Sequence, residues 1–470
     1  MADLYCGIDF GTSNSSAAVW DGTSVRVLPL DPVNDSPTSL PSLLYITNEG
    51  EHIIGRAAAN AFIERNVDRE IILKTVDLGI SIEAYVASEP DKSESYRPPS
   101  EDTGVREATR AQATIEVNSP GRLFQSLKTQ LRHEAFRGTD VFGTHYQLEE
   151  LVAMILEPIK AALDREAGKP VERAVFGRPV RFSEREGEND VAERRLSTAA
   201  EIAGFKEVSF FYEPVGACVE YAMGVERKQR LMVVDIGGGT CDVCVMEFGG
   251  AHGAAARMQE SRILSVAGVP VAGDAIDREI IRSKMFPKFG SRARYGPSNL
   301  KVPQYLFNQI LDWQNLYKLN TEETINWLKA VEASADQPEA ILALRCLIQR
   351  NLGYPLAREV EAAKKRLSID NETHIELHKE AIQFHEYLER SEFAHIIEHN
   401  LEKMLASIEE AEDLAGIQPG DVDFVLTTGG TSLIPAIRQM LVERYDPDRL
   451  LQRDTFTSVA TGLAIVAQFA

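Results

Sequence analysis

The stretch that decides the fold is Leu231–Phe248, which reads LMVVDIGGGTCDVCVMEF. An apolar run ends in an aspartate, Asp235, and a glycine-rich turn then leads into a second apolar run. Apolar runs of this length, bounded by glycine, predict two strands joined by a tight turn. The turn Gly237–Thr240 is therefore predicted to lie at one edge of a sheet.

A second copy of this pattern opens the chain. The apolar run Tyr5–Phe10 contains Asp9 and is followed by the small polar residues Gly11–Ser16 and by another apolar run. The two aspartates are separated by about half the chain, a distance of domain size. The repeat predicts two similar lobes that arose by duplication. A chance coincidence of two aspartate–glycine turns is the alternative.

Both turns have the chemistry of polyphosphate binding. Glycine lets backbone amides approach phosphate oxygens without an obstructing side chain, and the hydroxyls of Thr12, Ser13 and Thr240 can add hydrogen bonds. Carboxylates from Asp9 and Asp235, facing each other across a cleft, can organise a hydrated magnesium ion, and one of them can orient an attacking water. A third glycine turn, at Gly429–Gly430, strengthens the prediction of a nucleotide site.

Composition limits the class of partner. The chain has 470 residues, 44% of them hydrophobic, and a formal net charge of −21. An acidic chain disfavours nucleic acid and anionic membranes, because both attract basic proteins. The sequence shows no secretory leader, no apolar run of membrane-spanning length and only five scattered cysteines. We therefore expect a cytoplasmic protein without a disulfide framework.

Several motifs, in chain order, resemble the heat shock protein 70 (DnaK-type) family of the actin-like ATPase superfamily. The two phosphate turns resemble the family's paired phosphate motifs. Further stretches that resemble the family are RPVRF (178–182), AEIAGFKEVSFFYEPVGACVEYAMG (200–224), VAGDAID (271–277), EAAKKRLS (361–368) and LTTGGTSLIPAI (426–437). The resemblance implies an α/β, two-lobed actin-like ATPase fold, a duplicated ribonuclease-H-like arrangement with nucleotide in the interlobe cleft.

The resemblance also implies ATP or ADP with magnesium as ligands, and hydrolysis by an attacking water. Asp9, Asp235 and Glu213 are the implied magnesium-site residues, mostly through water, and Asp242 is an implied ligand of a monovalent cation such as potassium. Lys128, aligned with the family's catalytic lysine, and Thr240 join the three magnesium-site residues in the implied catalytic set, although Lys128 could instead be a surface lysine. The implied nucleotide contacts are Gly11, Thr12, Ser13, Asn14, Gly237, Gly238, Gly239, Thr240, Gly273, Asp274, Glu361, Lys364, Lys365, Ser368, Gly429, Gly430, Thr431 and Leu433.

The sequence departs from the family in three places. Leu433 stands where the family has an arginine that stacks on adenine, and leucine offers no guanidinium plane. The family's Asn-Pro-Asp-Glu segment is replaced around 454–457. The chain also stops where a nucleotide-binding domain would stop, so we expect no peptide-binding domain, as in the shortened YegD-type members.

The expected domain limits are 1–228 for lobe I and 229–457 for lobe II, with the helix 458–470 packing back on lobe I. Residues 86–116 are rich in serine, proline and charge and are predicted to form a mobile surface insertion in lobe I. Residues 300–350 have a helical pattern and are predicted to cap lobe II. Either insertion could contact a client protein or a co-chaperone, or neither could.

Two other signals carry less weight. Cys241 and Cys244 form a C-x-x-C, but positions three apart on a strand point to opposite faces, so we expect no redox or zinc site there. Histidines cluster between 374 and 399, where solvated surface side chains are the simpler interpretation.

Three function classes remain open from the sequence. The chain could be a chaperone-like ATPase, a nucleotide-dependent switch or exchange-type binding module with little turnover, or a filament-forming or small-molecule-kinase relative. The Glu213-Pro214 segment and EAAKKRLS favour the first class.

Overall fold

A computed structural model describes most of the chain. The described residues are 4–69, 71–87, 104–185, 187–224, 227–249, 260–452 and 457–469; at 73, 75–87 and 104–115 only the backbone is described. The central part of the predicted insertion, 88–103, and most of the divergent segment 454–457 lie outside these residues.

The first sheet is built around the strand that carries Asp9. This strand pairs antiparallel with the strand after the glycine turn and, on its other side, parallel with a strand from later in the chain. The spatial order is Glu207–Tyr212, Arg173–Arg178, Tyr5–Phe10, Asn14–Trp20 and Val25–Val27, and Leu40–Pro41 also pairs with Asn14–Trp20. Asp9 therefore lies near the carboxyl end of a central strand.

The second sheet repeats this topology. The strand that carries Asp235 pairs antiparallel with the strand after its turn and parallel with a strand from later in the chain. The spatial order is Arg262–Val269, Cys241–Phe248, Gln229–Ile236, Phe424–Thr428 and Leu450–Gln452. Two sheets of one topology confirm the two-lobed α/β fold, and the second central strand begins at Gln229, the residue at which lobe II was predicted to begin.

Two helices pack between the sheets. The connecting helix Glu213–Ala222 and the closing helix Ser458–Val466 share a core with side chains of both sheets, including Val175 and Val233. Glycine permits their close approach, since a β-carbon on Gly462 would lie 1.7 Å from the carbonyl oxygen of Gly216. The closing helix also contacts the first strand of the chain. The end of the described chain therefore lies against lobe I.

The remaining helices belong to one lobe or the other, and some of them, such as Glu398–Ala415, pack on a central sheet. In lobe I they are Arg56–Asn66, Leu127–Gln130, Leu148–Ala167 and Glu188–Ile202. In lobe II they are Gly273–Ile280, Phe286–Lys288, Gln304–Leu311, Glu322–Glu332, Pro338–Gln349, Gly353–Leu367, Arg390–Ile396, Glu398–Ala415 and Pro435–Arg444. Each lobe has its own buried apolar core.

Each lobe also contains smaller sheets and hairpins. Lobe I has the three-stranded sheet His52–Ile54, Leu43–Thr47 and Gly121–Gln125 and the hairpin Gly138–Val141 with Thr144–Gln147. Lobe II has the hairpin Glu372–Lys379 with Ile382–Glu389 and the short pair Arg294–Tyr295 with Leu300–Lys301.

The segment 86–116, predicted to be a mobile surface insertion, has regular structure in its second half. Residues Gly104–Glu116 form a strand that pairs antiparallel with Leu73–Ala87, so the inserted feature is a two-stranded arm that begins well before residue 86. The flanking sequence is rich in β-branched residues, which favour strands, whereas proline and charge concentrate between the strands. The composition of this stretch did not predict the two strands Leu73–Ala87 and Gly104–Glu116.

The segment predicted as a helical cap, 300–350, contributes to contacts between the lobes. Trp313 and Tyr354 from lobe II meet Phe62 from lobe I, with ring centroids 5.8 and 5.3 Å from that of Phe62. Trp313 and Tyr354 lie 4.8 Å apart, and Tyr45 lies 6.3 Å from Phe62. We call these four rings the interlobe aromatic cluster. The segment therefore reaches lobe I and does more than cover lobe II.

Within the described part of the chain, no helix has both the length and the apolar character needed to cross a bilayer.

Candidate nucleotide site

The two predicted phosphate turns face each other across the lobes. A β-carbon on Gly238 would lie 2.2 Å from the hydroxyl oxygen of Ser13, and one on Gly239 would lie 2.7 Å from that of Thr12. Such distances leave no room for a side chain on either glycine, so the lobes approach each other this closely only because the second turn has none. The turns thus border one narrow cleft between them.

The second turn is fixed by its neighbours in lobe II. The hydroxyl of Thr431 donates to the carbonyl of Gly237 at 2.7 Å, and the amides of Gly273 and Asp274 donate to the carbonyls of Gly237 and Gly238 at 3.2 and 2.8 Å. These bonds occupy two carbonyls of the turn, whereas the amide of Gly237 donates within the turn to the carbonyl of Thr240. Three predicted nucleotide-contacting segments therefore meet around one turn.

The third glycine turn depends on a backbone conformation that glycine favours. Gly429 has φ 76°, and a β-carbon there would lie 2.2 Å from the carbonyl oxygen of Ile236. The strand before it places Thr428 beside Asp235, to which the threonine hydroxyl donates at 2.7 Å. The turn therefore brings the end of a third strand against the acidic end of the central strand.

Glu213 and Lys128 form a buried ion pair at the floor of the cleft. The strand Glu207–Tyr212 ends at the glutamate, and Pro214 starts the connecting helix there because its fixed φ suits a first helical turn. The Lys128 Nζ lies 2.5 Å from Glu213 Oε1. Both side chains are buried, so Lys128 is not the surface lysine considered as the alternative.

The buried carboxylates in this region raise one another's pKa values. Burial raises the pKa of Asp235 to about 6, with Glu213 adding to the rise, although the Thr428 hydrogen bond and Lys128 oppose it. Burial and Glu213 raise the pKa of Asp9 well above its ordinary range. Burial and Glu213 also raise the pKa of Asp242, whose carboxylate accepts from the amide of Val180 at 2.6 Å. The region holds more negative charge than its lysine neutralises.

Such an excess of buried carboxylate fits a hydrated divalent cation. Burial opposes the charge of Lys128, yet Glu213 and Asp9 raise the pKa of its ammonium, which therefore stays protonated. One lysine among Asp9, Asp235, Glu213 and Asp242 leaves net negative charge. No three histidine, cysteine, aspartate or glutamate side chains of the described residues form a direct metal cage. Magnesium, which keeps several of its waters, fits this arrangement through those waters.

The last turn of the helix Gly353–Leu367 lies beside the segment that follows the second glycine turn. Lys364 donates to the carbonyl of Gly273 at 3.2 Å and pairs with Asp277 at 2.8 Å. Glu361 pairs with Lys365 at 2.7 Å, and Ser368 follows at the end of the helix. A cavity of about 450 Å³ lies beyond, lined on this side by Ser368 and on the other by Leu433, which is 38% exposed.

The structure brings most of the predicted residues to this cleft but not all. Asn14 begins the strand after the first turn and accepts from the hydroxyl of Ser39 at 3.3 Å, away from the contact between the turns. The side chain of Lys365 is 67% exposed. Gly11 and Thr240 lie within their turns, where the amide of Gly237 donates to the carbonyl of Thr240 at 3.1 Å. Gly430 begins the short helix that ends at Leu433.

Sequence reasoning missed four residues at the site. Thr428 follows the same rule as Asp9 and Asp235, since it ends a central strand beside a glycine turn, and that signal could have identified it. Asp277 pairs with Lys364, and Ser126 donates to Asp274 at 3.4 Å across the lobes. Val180 reaches Asp242 through its backbone amide, for which no sequence signal exists.

Two sheets of like topology, with aspartate-led glycine turns facing each other, define a two-lobed protein of the actin-like ATPase fold. A family model described as Hsp70 protein matches residues 109–255 and 349–469, together more than half of the chain. The chain belongs to the Hsp70 family. Most of the predicted cap falls in the gap between the two matched ranges.

Two curated relatives span almost the whole chain. Chaperone protein DnaK 1 of Synechococcus sp. is 25% identical over 464 residues, which are 98% of this chain and 49% of that protein. Chaperone protein dnaK3 of Synechococcus elongatus is also 25% identical over 464 residues, with the same coverage of both chains. The chain thus spans about half the length of these curated relatives.

Proposed function

We propose that the chain binds magnesium ATP between its lobes, hydrolyses it, and couples lobe closure to nucleotide state as a chaperone-like protein. The observation that carries this proposal is the meeting of two glycine turns above buried carboxylates and one buried lysine. Membership of the Hsp70 family and the names of the two relatives, both chaperone proteins, support the same function.

Phosphate binding would come from both lobes together. The amides of Gly238 and Gly239 would supply donors without side chains in the way, and the hydroxyls of Ser13 and Thr12 lie directly opposite these two glycines. Because a phosphate chain would interact with both turns, its binding would favour the closed arrangement of the lobes. The hydroxyl of Thr240, at the end of the second turn, would add a further donor.

Magnesium, when bound, would neutralise charge on the phosphate oxygens and supply ordered waters. Asp9 and Asp235 would hold those waters from the two sheets, and Glu213 would hold them from the start of the connecting helix. Asp235 would also orient the attacking water, because it lies at the end of the central strand beside the second turn. Lys128 would stabilise charge that develops on the terminal phosphoryl group.

A phosphate-release assay on the purified chain tests the proposal. We expect release of phosphate from ATP that requires magnesium and stops in Asp235→Ala, with nucleotide binding followed separately by calorimetry. Failure of the wild-type chain to bind ATP or ADP would remove the proposed function altogether.

A nucleotide-dependent switch with little turnover is the second candidate. It is favoured by the engagement of Lys128 with Glu213 at 2.5 Å, because a lysine held there is not free to reach a phosphoryl oxygen. The same assay separates the two candidates, since a switch would bind ATP tightly and release almost no phosphate.

Two finer parts of the proposal need their own measurements. A client or co-chaperone would bind through the two-stranded arm or the cap, and deletion of either should then abolish its capture without loss of nucleotide binding. A monovalent cation at Asp242 would make turnover depend on potassium, which replacement of potassium by sodium would reveal.

A further inference from the structure

Two buried thiols from different lobes lie side by side between the sheets. Cys218 is on the connecting helix of lobe I, and Cys244 is on the strand Cys241–Phe248 of lobe II. Both side chains are fully buried in the core that the two sheets share. The helix packs on this strand, and a side-chain hydrogen bond joins the two thiols. The sulfur atoms are therefore neighbours across the boundary between the lobes.

The sequence offers a different partner for Cys244, in the motif C-x-x-C. Cys241 and Cys244 enter different cores, because alternation along the strand turns their side chains to opposite faces. The two remaining cysteines are also distant from the shared core, since Cys6 lies in the core of lobe I and Cys346 in that of lobe II. Cys218 is thus the cysteine that Cys244 meets.

The surroundings of the pair protect it while the lobes are packed. Burial raises the pKa of the Cys218 thiol well above its ordinary range, and the hydrogen bond with Cys244 raises it further. Thiolate is the form that reacts with oxidants, so the packed thiols react slowly. Reaction therefore needs the connecting helix to loosen from the strand for a moment.

We propose that Cys218 and Cys244 form a disulfide bond when the chain meets a peroxide, and that this bond locks the connecting helix of lobe I to the sheet of lobe II. One thiol attacks hydrogen peroxide, which leaves a sulfenic acid and releases one water. The second thiol attacks the sulfur of the sulfenic acid, so the S–S bond forms and a second water leaves. The two sulfur atoms together lose two electrons, and the peroxide gains them. A dithiol reverses the bond by exchange.

The bond would lie close to the proposed nucleotide site on both sides. Cys218 follows Glu213 by five residues on the connecting helix, about 7.5 Å along the axis. Cys244 follows Asp242 by two residues on its strand. A covalent link here would resist motion of one lobe against the other and so slow the release of nucleotide. This effect on release rests on the proposed function, whereas formation of the bond does not.

The test oxidises the folded full chain and identifies the bond. After hydrogen peroxide treatment, the remaining thiols are alkylated before unfolding, and tryptic peptides are analysed without reduction. We expect peptides 207–227 and 231–257 to be joined, and dithiothreitol to separate them. Cys241 shares the second peptide with Cys244, so Cys241→Ala should keep the link, whereas Cys244→Ala and Cys218→Ala should lose it.

Two further measurements follow the lock itself. In the oxidised wild type we expect a higher midpoint of thermal unfolding, because the bond restrains the unfolded chain. A fluorescent ADP should leave the oxidised protein several-fold more slowly, and dithiothreitol should reverse both changes. Cys218→Ala, treated in the same way, should show neither change. This variant keeps every methionine of the wild type, so it also controls for oxidation of methionine.

The outcomes separate the bond, the lock and the function beneath it. Peptides that stay unlinked in the oxidised wild type would refute the inference, and so would a link that survives in Cys218→Ala. A linked protein with unchanged ADP release would refute the lock. A chain that binds no nucleotide would refute the proposed function instead, while the joined peptides and the thermal shift would still support the bond.

Discussion

The ammonium of Lys128 lies 2.5 Å from a carboxylate oxygen of Glu213, and both groups are buried. The two residues come from different parts of lobe I, a four-residue helix and the start of the connecting helix. The pair places a fixed positive charge among carboxylates whose pKa values are raised, beside the contact between the two glycine turns. Several properties of the protein depend on this arrangement.

Removal of the lysine should affect chemistry more than binding. We expect Lys128→Ala to retain nucleotide affinity and to lower the turnover number by roughly 10²–10³, the effect of losing one preorganised donor. Single-turnover phosphate release measures this directly. Lys160→Ala is the matched control, because Lys160 is also buried and pairs with Asp164 at 2.7 Å but lies outside both turns. Unchanged turnover in Lys128→Ala would exclude the lysine from the mechanism.

Lys128 and Glu213 should show a large coupling free energy in the unfolding of the unliganded protein. Loss of the lysine leaves buried carboxylates without their cation, so Lys128→Met should lower the free energy of unfolding by about 3–5 kcal/mol. Glu213→Gln should cost less, because Lys128 still faces Asp9. The double variant should lose much less than the sum, because it removes both charges. Urea unfolding of the four proteins gives the coupling free energy, and strict additivity would contradict a direct buried pair.

Asp235→Asn should abolish magnesium-dependent hydrolysis without unfolding the protein. The side-chain amide keeps the size of the carboxylate and its hydrogen bond with Thr428, but it removes a negative charge from the predicted magnesium site. We expect magnesium-dependent hydrolysis to be lost and thermal stability to be kept or raised. Retention of full activity at ordinary magnesium concentrations would show that Asp235 is dispensable.

Asp274 should make the unliganded protein less stable at high pH. Burial raises its pKa from 3.8 to about 6, with Asp277 adding to the rise. A raised folded pKa favours the protonated form, so its stabilising contribution is complete at low pH and is lost as pH rises through about 6. Asp274→Asn should therefore be more stable than the wild type at pH 8, by up to about 3 kcal/mol.

At pH 4 the difference between Asp274→Asn and the wild type should fall to about 0.5 kcal/mol, because this pH lies close to the unfolded pKa of 3.8, below which the carboxyl is protonated in both states. Urea unfolding at the two pH values measures it, with Asp413→Asn, an exposed helical position, as the control. A stability difference that is the same at both pH values would argue against titration of Asp274.

The interlobe aromatic cluster should limit the rate at which nucleotide leaves. Phe62 contacts Trp313 and Tyr354 of the opposite lobe, so Phe62→Ala should weaken lobe closure and speed release of a fluorescent ADP several-fold. Stopped-flow displacement measures that rate. Phe384→Ala is a control, since Phe384 packs on Phe289 within lobe II and its loss should lower stability without changing release. If Phe62→Ala and Phe384→Ala release ADP at the same rate, the interlobe aromatic cluster does not control nucleotide release.

The sequence by itself determined the two strand–turn–strand units, the repeat and the family. These are local features, because the alternation of apolar runs and glycine depends only on neighbouring residues. The same reasoning located Asp9 and Asp235 at strand ends and placed Cys241 and Cys244 on opposite faces of their strand, where they enter different cores. It did not predict the strands Leu73–Ala87 and Gly104–Glu116, because serine, proline and charge dominate the sequence between them.

Only the tertiary structure decided which distant residues meet. Glu213 and Lys128 pair because two segments of lobe I pack at one end of its sheet, and Phe62 reaches Trp313 because the two lobes are in contact there. Cys218 comes beside Cys244 in the same way, through the packing of a helix against a strand. The distance between two residues far apart in the sequence is set by how the helices and strands pack. The residues that neighbour each of them in the sequence do not determine it. For this reason the sequence predicted the two turns, and the structure supplied the floor and walls of the cleft between them.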